Sequence, residues 1–425
     1  MSGTGKNHYN SETVKKGVGC VQEKGMSCAF CRSEKGGWRM KRFYTAEAVT
    51  EGHPDKLCDL IADSILDECL KYDQASRVAC EVLATKGTVL VAGEITSKHE
   101  PYVFGILEKQ LSELGYDPSD IQMDVEVHQQ SPDIASAVSC SKEKRGGLVP
   151  SQEDWGMGAG DQGVMIGYAC DETPQMMPMP VVLANRIVRE LSACRRSGYI
   201  DGLRPDGKAQ VTVEYEDGKP IRVDSVVVSC QHEEGKDLKQ LEREIRKKVL
   251  LPSLRLLPTD EETVIYINPG GRFVYGGLDA DTGLTGRKLM VDAYGSMVPH
   301  GGGAFSGKDP TKMDRSGAYM ARYIAKNMVA AGLARRCQVS LAYAIGVAKP
   351  VMVQVDTFGT GTVCADDCLA VAIPMVFGLT PKQIMESLRL NRPIYRQTAV
   401  FGHFGRKEFP WERTDKAKAL RDTVI

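Results

Sequence analysis

Ala209-Gln210-Val211-Thr212-Val213-Glu214-Tyr215 and Pro220-Ile221-Arg222-Val223-Asp224-Ser225-Val226-Val227-Val228-Ser229-Cys230 flank Glu216-Asp217-Gly218-Lys219. Both runs alternate apolar and polar residues, the period of a half-buried strand. An Asp-Gly pair between two such runs reads as a tight hairpin turn. The sheet is therefore antiparallel at this point. Outward from it, Arg77–Thr85 and Thr88–Thr96 read as adjacent strands around Gly87. Residues 123–128, 263–268, 337–346 and 351–357 read as further strands. Helical periodicity marks 100–114, closed by Gly115, and 180–196, ending near Gly198. It also marks 237–251, 313–331, 366–377 and 381–389. No short repeat is visible. The expectation is an α+β protein, with helices on mostly antiparallel sheets.

The 425 residues are too many for one ordinary core and imply two or three domains. Hydrophobic residues make up 42 %, enough for well-packed domains. Lys plus Arg number 54 against 55 Asp plus Glu, and this balance argues against a general nucleic-acid binder. No apolar run reaches the 18 or so residues of a membrane span. Thirteen cysteines, scattered through strands and helices, read as reduced core residues of a cytoplasmic protein. Cys28-Ala-Phe-Cys31 is a C-x-x-C with no second pair at zinc-finger spacing, so ordinary thiols outweigh a metal or redox role there. Residues 1–39 lack any apolar period and are expected to be a disordered extension.

Two clusters carry chemistry. In His300-Gly301-Gly302-Gly303-Ala304-Phe305-Ser306-Gly307-Lys308-Asp309, glycines let the backbone turn and approach a ligand closely. Lys308, Lys312, Asp309 and Asp314 follow, and the helix from Met313 places them at a helix N-terminus. Lysines with exposed N–H groups suit phosphate oxygens, and a carboxylate among phosphates suits Mg²⁺. The second cluster is Glu51-Gly52-His53-Pro54-Asp55-Lys56. Pro54 fits a first helical turn, and Leu57, Leu60, Ile61, Leu66, Cys69 and Leu70 continue an apolar helix face. His53 then sits at the helix mouth. Simple capping and a Gly-rich solvated turn are the competing readings of these two segments.

Residues 129–154 read as a long polar segment, basic at Lys142-Glu143-Lys144-Arg145, and are taken as a mobile lid rather than a plain insert. Gly156-Met157-Gly158-Ala159-Gly160-Asp161 has dinucleotide-loop spacing but no apolar strand before it, so a Rossmann reading fails.

Together these motifs resemble the S-adenosylmethionine synthetase family from about Phe43 to Asp422. The resemblance rests on Thr50 to Lys56, Ala92-Gly93-Glu94-Ile95-Thr96, Gln130-Ser131-Pro132-Asp133-Ile134 and Gly158 to Gly163. It rests also on Gly283-Leu284-Thr285-Gly286-Arg287-Lys288, the Gly-rich segment, and Tyr395-Arg396-Gln397-Thr398-Ala399 to Trp411. It implies three similar α+β domains in a pseudo-threefold arrangement. The boundaries expected are a domain of 40–140, a lid and linker of 141–160, a central domain of 161–275 and a C-terminal domain of 276–425. It implies transfer of adenosyl from ATP to L-methionine: the sulfur attacks C5′, and the displaced tripolyphosphate is hydrolysed to pyrophosphate and phosphate. It further implies two Mg²⁺ per site, K⁺, and a homodimer or homotetramer with shared sites, without nucleic-acid or membrane partners.

Residue by residue, the resemblance makes His53, Lys208, Arg287, Lys288 and Lys308 catalytic cations. These same residues would contact ATP together with Asp161, Asp206, Arg272 and Phe273. Glu94, Gln130, Asp281 and Lys312 would contact methionine. Asp55 and Asp314 would hold Mg²⁺, and Glu81 K⁺. Without the resemblance, Glu81 reads as an exposed-face acid, Lys208 as a turn lysine after Pro205-Asp206-Gly207, and Phe273 as core. A non-catalytic family member should have lost some of His53, Asp55, Lys308 or Asp314, and all are present. An unrelated polyphosphate hydrolase or kinase is the other alternative, and the G-x-x-x-x-G-K-[ST] loop common in kinases is absent.

Overall fold

The computed structural model describes residues 30–32, 38–147 and 156–425. Its strands are β1 Phe30–Arg32, β2 Trp38–Val49, β3 Arg77–Thr85, β4 Thr88–Thr96, β5 Gln122–His128 and β6 Gly163–Cys170. They continue with β7 Leu203–Glu216, β8 Lys219–His232, β9 Val264–Ile267, β10 Gly283–Leu284, β11 Arg336–Tyr343 and β12 Met352–Asp356. They form three sheets, ordered β1-β2-β7-β8-β9, β10-β3-β4-β5 and β12-β11-β6. The β4–β5 and β8–β9 pairings are parallel. The others are antiparallel. The chain thus builds three domains of sheet and helix, an α+β architecture.

The hairpin forms as its sequence requires. β7 and β8 turn through Asp217 and Gly218, whose φ values of 49° and 76° are the positive pair that a two-residue turn of this hand needs. Val211, Val213, Val226 and Val228 point to one face, where Leu183, Ile187 and Leu191 of the helix Met179–Arg196 cover them. A larger core joins the helix Pro54–Tyr72, β3, β4 and the helix Met313–Ala330. No single helix among the described residues is long and apolar enough to cross a membrane.

Each sheet mixes distant stretches of chain, and this mixing positions the site. β2 pairs with β7 so that Val49 faces Lys208. β10 pairs with the end of β3, Leu284 opposite Leu83. The segment after β2 and the segment after β10 therefore meet at the N-terminus of the helix Pro54–Tyr72.

Several details depart from the sequence reading. The segment expected as a polar loop carries the helix Pro132–Ser139 and one turn, Lys142–Arg145. Backbone bonds from Lys142 to Gly346 (2.8 Å) and from Gly158 to Val138 (3.0 Å) tie its ends down. The 237–251 helix is α-helical only over Leu238–Glu244 and widens to a π-helical stretch at Ile245–Leu250. β6 and the C-terminal helix Ala417–Val424 lay outside the expected elements. Within 1–39, Phe30–Arg32 pairs with Trp38–Met40. Cys28 lies outside the described residues.

Candidate active site at the mouth of the Pro54–Tyr72 helix

The loop between β2 and the helix is clamped before it reaches His53. Thr50 Oγ1 donates to the Pro205 carbonyl at 2.6 Å. Glu51 accepts from Ser192 Oγ, from Arg195 at 3.1 Å and from Arg196 at 2.8 Å. Gly52 lies flat on Pro205, and a Cβ there would fall 2.3 Å from the Pro205 carbonyl carbon. His53 is the N-cap: its Nδ1 accepts the Asp55 N–H at 3.2 Å. The neutral ring therefore carries its proton on Nε2, which is left as a donor. Burial lowers the His53 pKa, with Lys288 and Lys208 reinforcing and Asp55 and Asp281 opposing, to about 4. The capping role is thus realised, and it leaves Nε2 free of that bond.

From His53 the helix runs as a ruler. Asp55, Asp59, Asp63 and Asp67 recur every four residues, so they lie along one face, about 6 Å apart in rise. Each accepts backbone N–H groups from the C-terminal part of the chain. Asp55 Oδ1 accepts from Leu284 at 3.0 Å, Asp59 Oδ1 from Gly286 at 2.9 Å and Asp63 Oδ1 from Gly307 at 2.9 Å. Asp67 accepts from Tyr395 and Arg396 at 2.9 and 3.0 Å. Two cation-bearing loops thus hang from consecutive aspartates. The first carries Arg287 and Lys288: Lys288 Nζ bonds Asp55 Oδ2, and Arg287 Nε is 3.7 Å from Asp55 Oδ1. Burial pushes the Asp55 carboxyl up, but the Lys288 and Leu284 hydrogen bonds outweigh it and hold its pKa below the usual value.

The second loop is the Gly-rich one. Gly303 is pressed against Asp314, where a Cβ would come within 2.3 Å of its carboxylate. Lys308 bonds Asp314 Oδ2 at 2.6 Å, and Lys312 bonds Asp309. Asp309 is fully buried and accepts from Val78 N at 2.7 Å and from Thr311 N at 2.9 Å, so it locks the loop to β3. Glu81, on β3, is exposed; desolvation raises its pKa and the Lys308 charge opposes the rise.

The fold gathers the expected residues in two groups. His53, Asp55, Lys208, Asp281, Arg287 and Lys288 interact around the helix mouth. Asp206 stands beside them, accepting from Gly277 N at 2.9 Å. Lys308, Lys312, Asp314 and Glu81 form the second group. The remaining residues have other bonding partners. Glu94 is 3.7 Å from His128 at the end of β4, and Gln130 bonds Thr96 Oγ1 through its backbone. Arg272 pairs with Glu234, Asp161 caps Gln162 N, and Phe273 N bonds His232 Nε2 at 3.0 Å. Among the described residues no hydrogen bond or ion pair joins Glu94, Gln130, Asp161 or Arg272 to either group. Lys208 is not on a turn: it sits in β7, paired with Glu47 at 2.8 Å.

Sequence reading gave no role to Asp59, Asp63, Asp292 or Arg315, and none to Lys56 although its motif was singled out. The four-residue recurrence of aspartate was visible, but only the apolar positions of that helix were mapped.

Three family models match successive parts of the chain. The S-adenosylmethionine synthetase N-terminal domain matches residues 41–138, its central domain 156–273 and its C-terminal domain 275–413. The chain belongs to the S-adenosylmethionine synthetase family. The S-adenosylmethionine synthase of Desulforudis audaxviator (strain MP104C) is 51 % identical over 390 residues, covering 90 % of this chain and 98 % of that protein. The enzyme is a methionine adenosyltransferase, and the clusters above are to be read against the synthesis of S-adenosylmethionine.

Among the described residues no group of three or more His, Cys, Asp or Glu forms a metal cage. Asp55 and Asp314 each offer a single carboxylate beside a lysine. That suits Mg²⁺ held jointly by one carboxylate and substrate phosphates, the usual arrangement for this ion. Glu81 likewise offers one carboxylate for K⁺.

Proposed function

We propose that methionine sulfur attacks C5′ of ATP in line, displacing the whole tripolyphosphate, which is then hydrolysed to pyrophosphate and phosphate. A thioether sulfur carries no proton, so the step needs no general base. Its barrier lies in placing the two reactants and in the negative charge that grows on the leaving oxygen.

The observation that carries this reading is the cation set held at the helix mouth, with neutral His53 offering Nε2–H. His53 donates to the leaving C5′ oxygen. Lys208, Arg287, Lys288 and Lys308 neutralise the tripolyphosphate. Asp55 and Asp314 would hold Mg²⁺, two ions per site, which would supply charge neutralisation on the phosphates, and Lys288 and Lys308 are the lysines beside those carboxylates that face phosphate. Glu81 takes K⁺. Asp161, Asp206, Arg272 and Phe273 contact the nucleoside side, and Glu94, Gln130, Asp281 and Lys312 contact methionine.

Among the described residues, Glu94, Gln130, Asp161 and Arg272 bond to neither group: their partners are His128, Thr96, Gln162 and Glu234. This supports a homodimer or homotetramer whose sites draw on two subunits. The reading keeps domain boundaries near 140, 160 and 275, and a pseudo-threefold relation of the domains. It also places the enzyme in the cytoplasm, in keeping with seven buried thiols among ten described free cysteines.

The test is a product assay with ATP, L-methionine, Mg²⁺ and K⁺. One S-adenosylmethionine, one pyrophosphate and one phosphate per ATP support the reading. Release of intact tripolyphosphate would remove the hydrolytic step.

A further inference from the structure

The segment carrying Arg287 and Lys288 is closed at both ends on one buried pair. At its start, Gly286 N donates to Asp59 Oδ1 at 2.9 Å. At its end, Asp292 bonds Lys56 Nζ. Lys56 and Asp59 are bonded to each other at 3.0 Å, three residues apart on the helix. All three side chains are at most 2 % exposed. A second contact holds Asp292 from behind: its carbonyl accepts His403 N at 3.1 Å, and its Oδ1 lies 3.8 Å from His403 Nε2. The chain from Gly286 to Asp292 is thus a loop buckled onto the helix whose first turn presents His53 and Asp55.

Three buried charges are costly to keep, and apolar residues of similar size would pack there with less desolvation. Their bonds end on the two flanks of the segment that carries Arg287 and Lys288. We propose that Lys56, Asp59 and Asp292 are positioning residues, fixing Arg287 and Lys288 at the distance from His53 that the leaving tripolyphosphate requires. The proposal rests on the clamp role given above to Arg287 and Lys288. A displacement of about 1 Å in such a group lowers turnover by as much as about 10²-fold.

The experiment is a double-mutant cycle between Asp59→Asn and Lys288→Met in the full-length enzyme, read by single-turnover sulfonium formation. Asp59→Asn keeps an acceptor for Gly286 N but removes the charge facing Lys56. It is expected to slow the chemical step about 10- to 100-fold, with the methionine KM changed less than about threefold. In the Lys288→Met background the same change should cost less than about threefold, because residues acting as a unit are not additive. Independent, multiplicative losses would overturn the positioning role. A Lys288→Met enzyme with unchanged chemistry would instead sink the clamp reading itself, so the two failures are distinguishable. If Asp59→Asn does not fold, Lys56→Met with Asp292→Asn is read through the same cycle, with the same two outcomes.

Discussion

Asp63 and Arg315 are joined by two parallel N–H···O bonds of 2.7 and 2.8 Å, and both side chains are fully buried. Arg315 also donates to Thr398 Oγ1 at 2.9 Å and to the Lys308 carbonyl at 3.1 Å, and it lies over the Tyr395 ring. One fork thus ties the Gly-rich loop, the Tyr395 segment and the helix of the aspartate row together.

Removing one partner leaves the other charged, buried and unpaired. Asp63→Ala or Arg315→Met should each cost about 3–5 kcal/mol of stability. The double substitution Asp63→Leu with Arg315→Met should cost less than the sum of the two. Thermal denaturation followed by circular dichroism reads this directly, and additive losses would show that the pair is not the stabilising unit.

His53 gives a pH dependence with a defined sign. Folding lowers its pKa from 6.5 to about 4, so between those values the unfolded chain binds the proton and the folded chain does not. Stability from this group is complete above about pH 6.5 and is lost as pH falls towards 4. The free wild-type enzyme should therefore lose more stability than His53→Asn over that window. Parallel stability curves for the two proteins would remove the buried-neutral account of the ring.

On the proposed reading, metal dependence comes from single carboxylates working with phosphate oxygens. Chelation should abolish turnover and Mg²⁺ should restore it. Asp314→Asn should raise the Mg²⁺ needed for half-maximal rate about 10-fold or more, since even outer-shell partners of a metal matter by that much. An unchanged Mg²⁺ requirement would take Asp314 out of the metal site.

Truncation tests the N-terminal stretch. The β2–β7 ladder begins at Lys41, opposite Glu216, beyond the short β1–β2 pairing. Removing residues 1–37 should leave activity and thermal stability unchanged within error, and a loss of either would make the stretch structural.

Much of the fold was legible because its signals are local. The Asp217-Gly218 turn, the strands Arg77–Thr85 and Thr88–Thr96, and the helix after Pro54 appear where alternation, turn residues and helix period put them. The helix Pro132–Ser139 was not legible, being short and set in polar residues whose ends are held by distant loops. The residues proposed to clamp phosphate came from motif resemblance. The aspartates that hold them did not, because Asp59 and Asp63 take their meaning from Gly286, Gly307 and Arg315, more than two hundred residues away.

The central claim is that His53 and the cations hung on its helix act on the leaving tripolyphosphate during bond breaking. The most direct test is His53→Asn, with ATP affinity and single-turnover sulfonium formation measured on the same preparation. The account predicts ATP binding within about threefold of wild type and a chemical step slower by about 10²–10³-fold. Chemistry at the wild-type rate, with any loss confined to ATP binding, would contradict it.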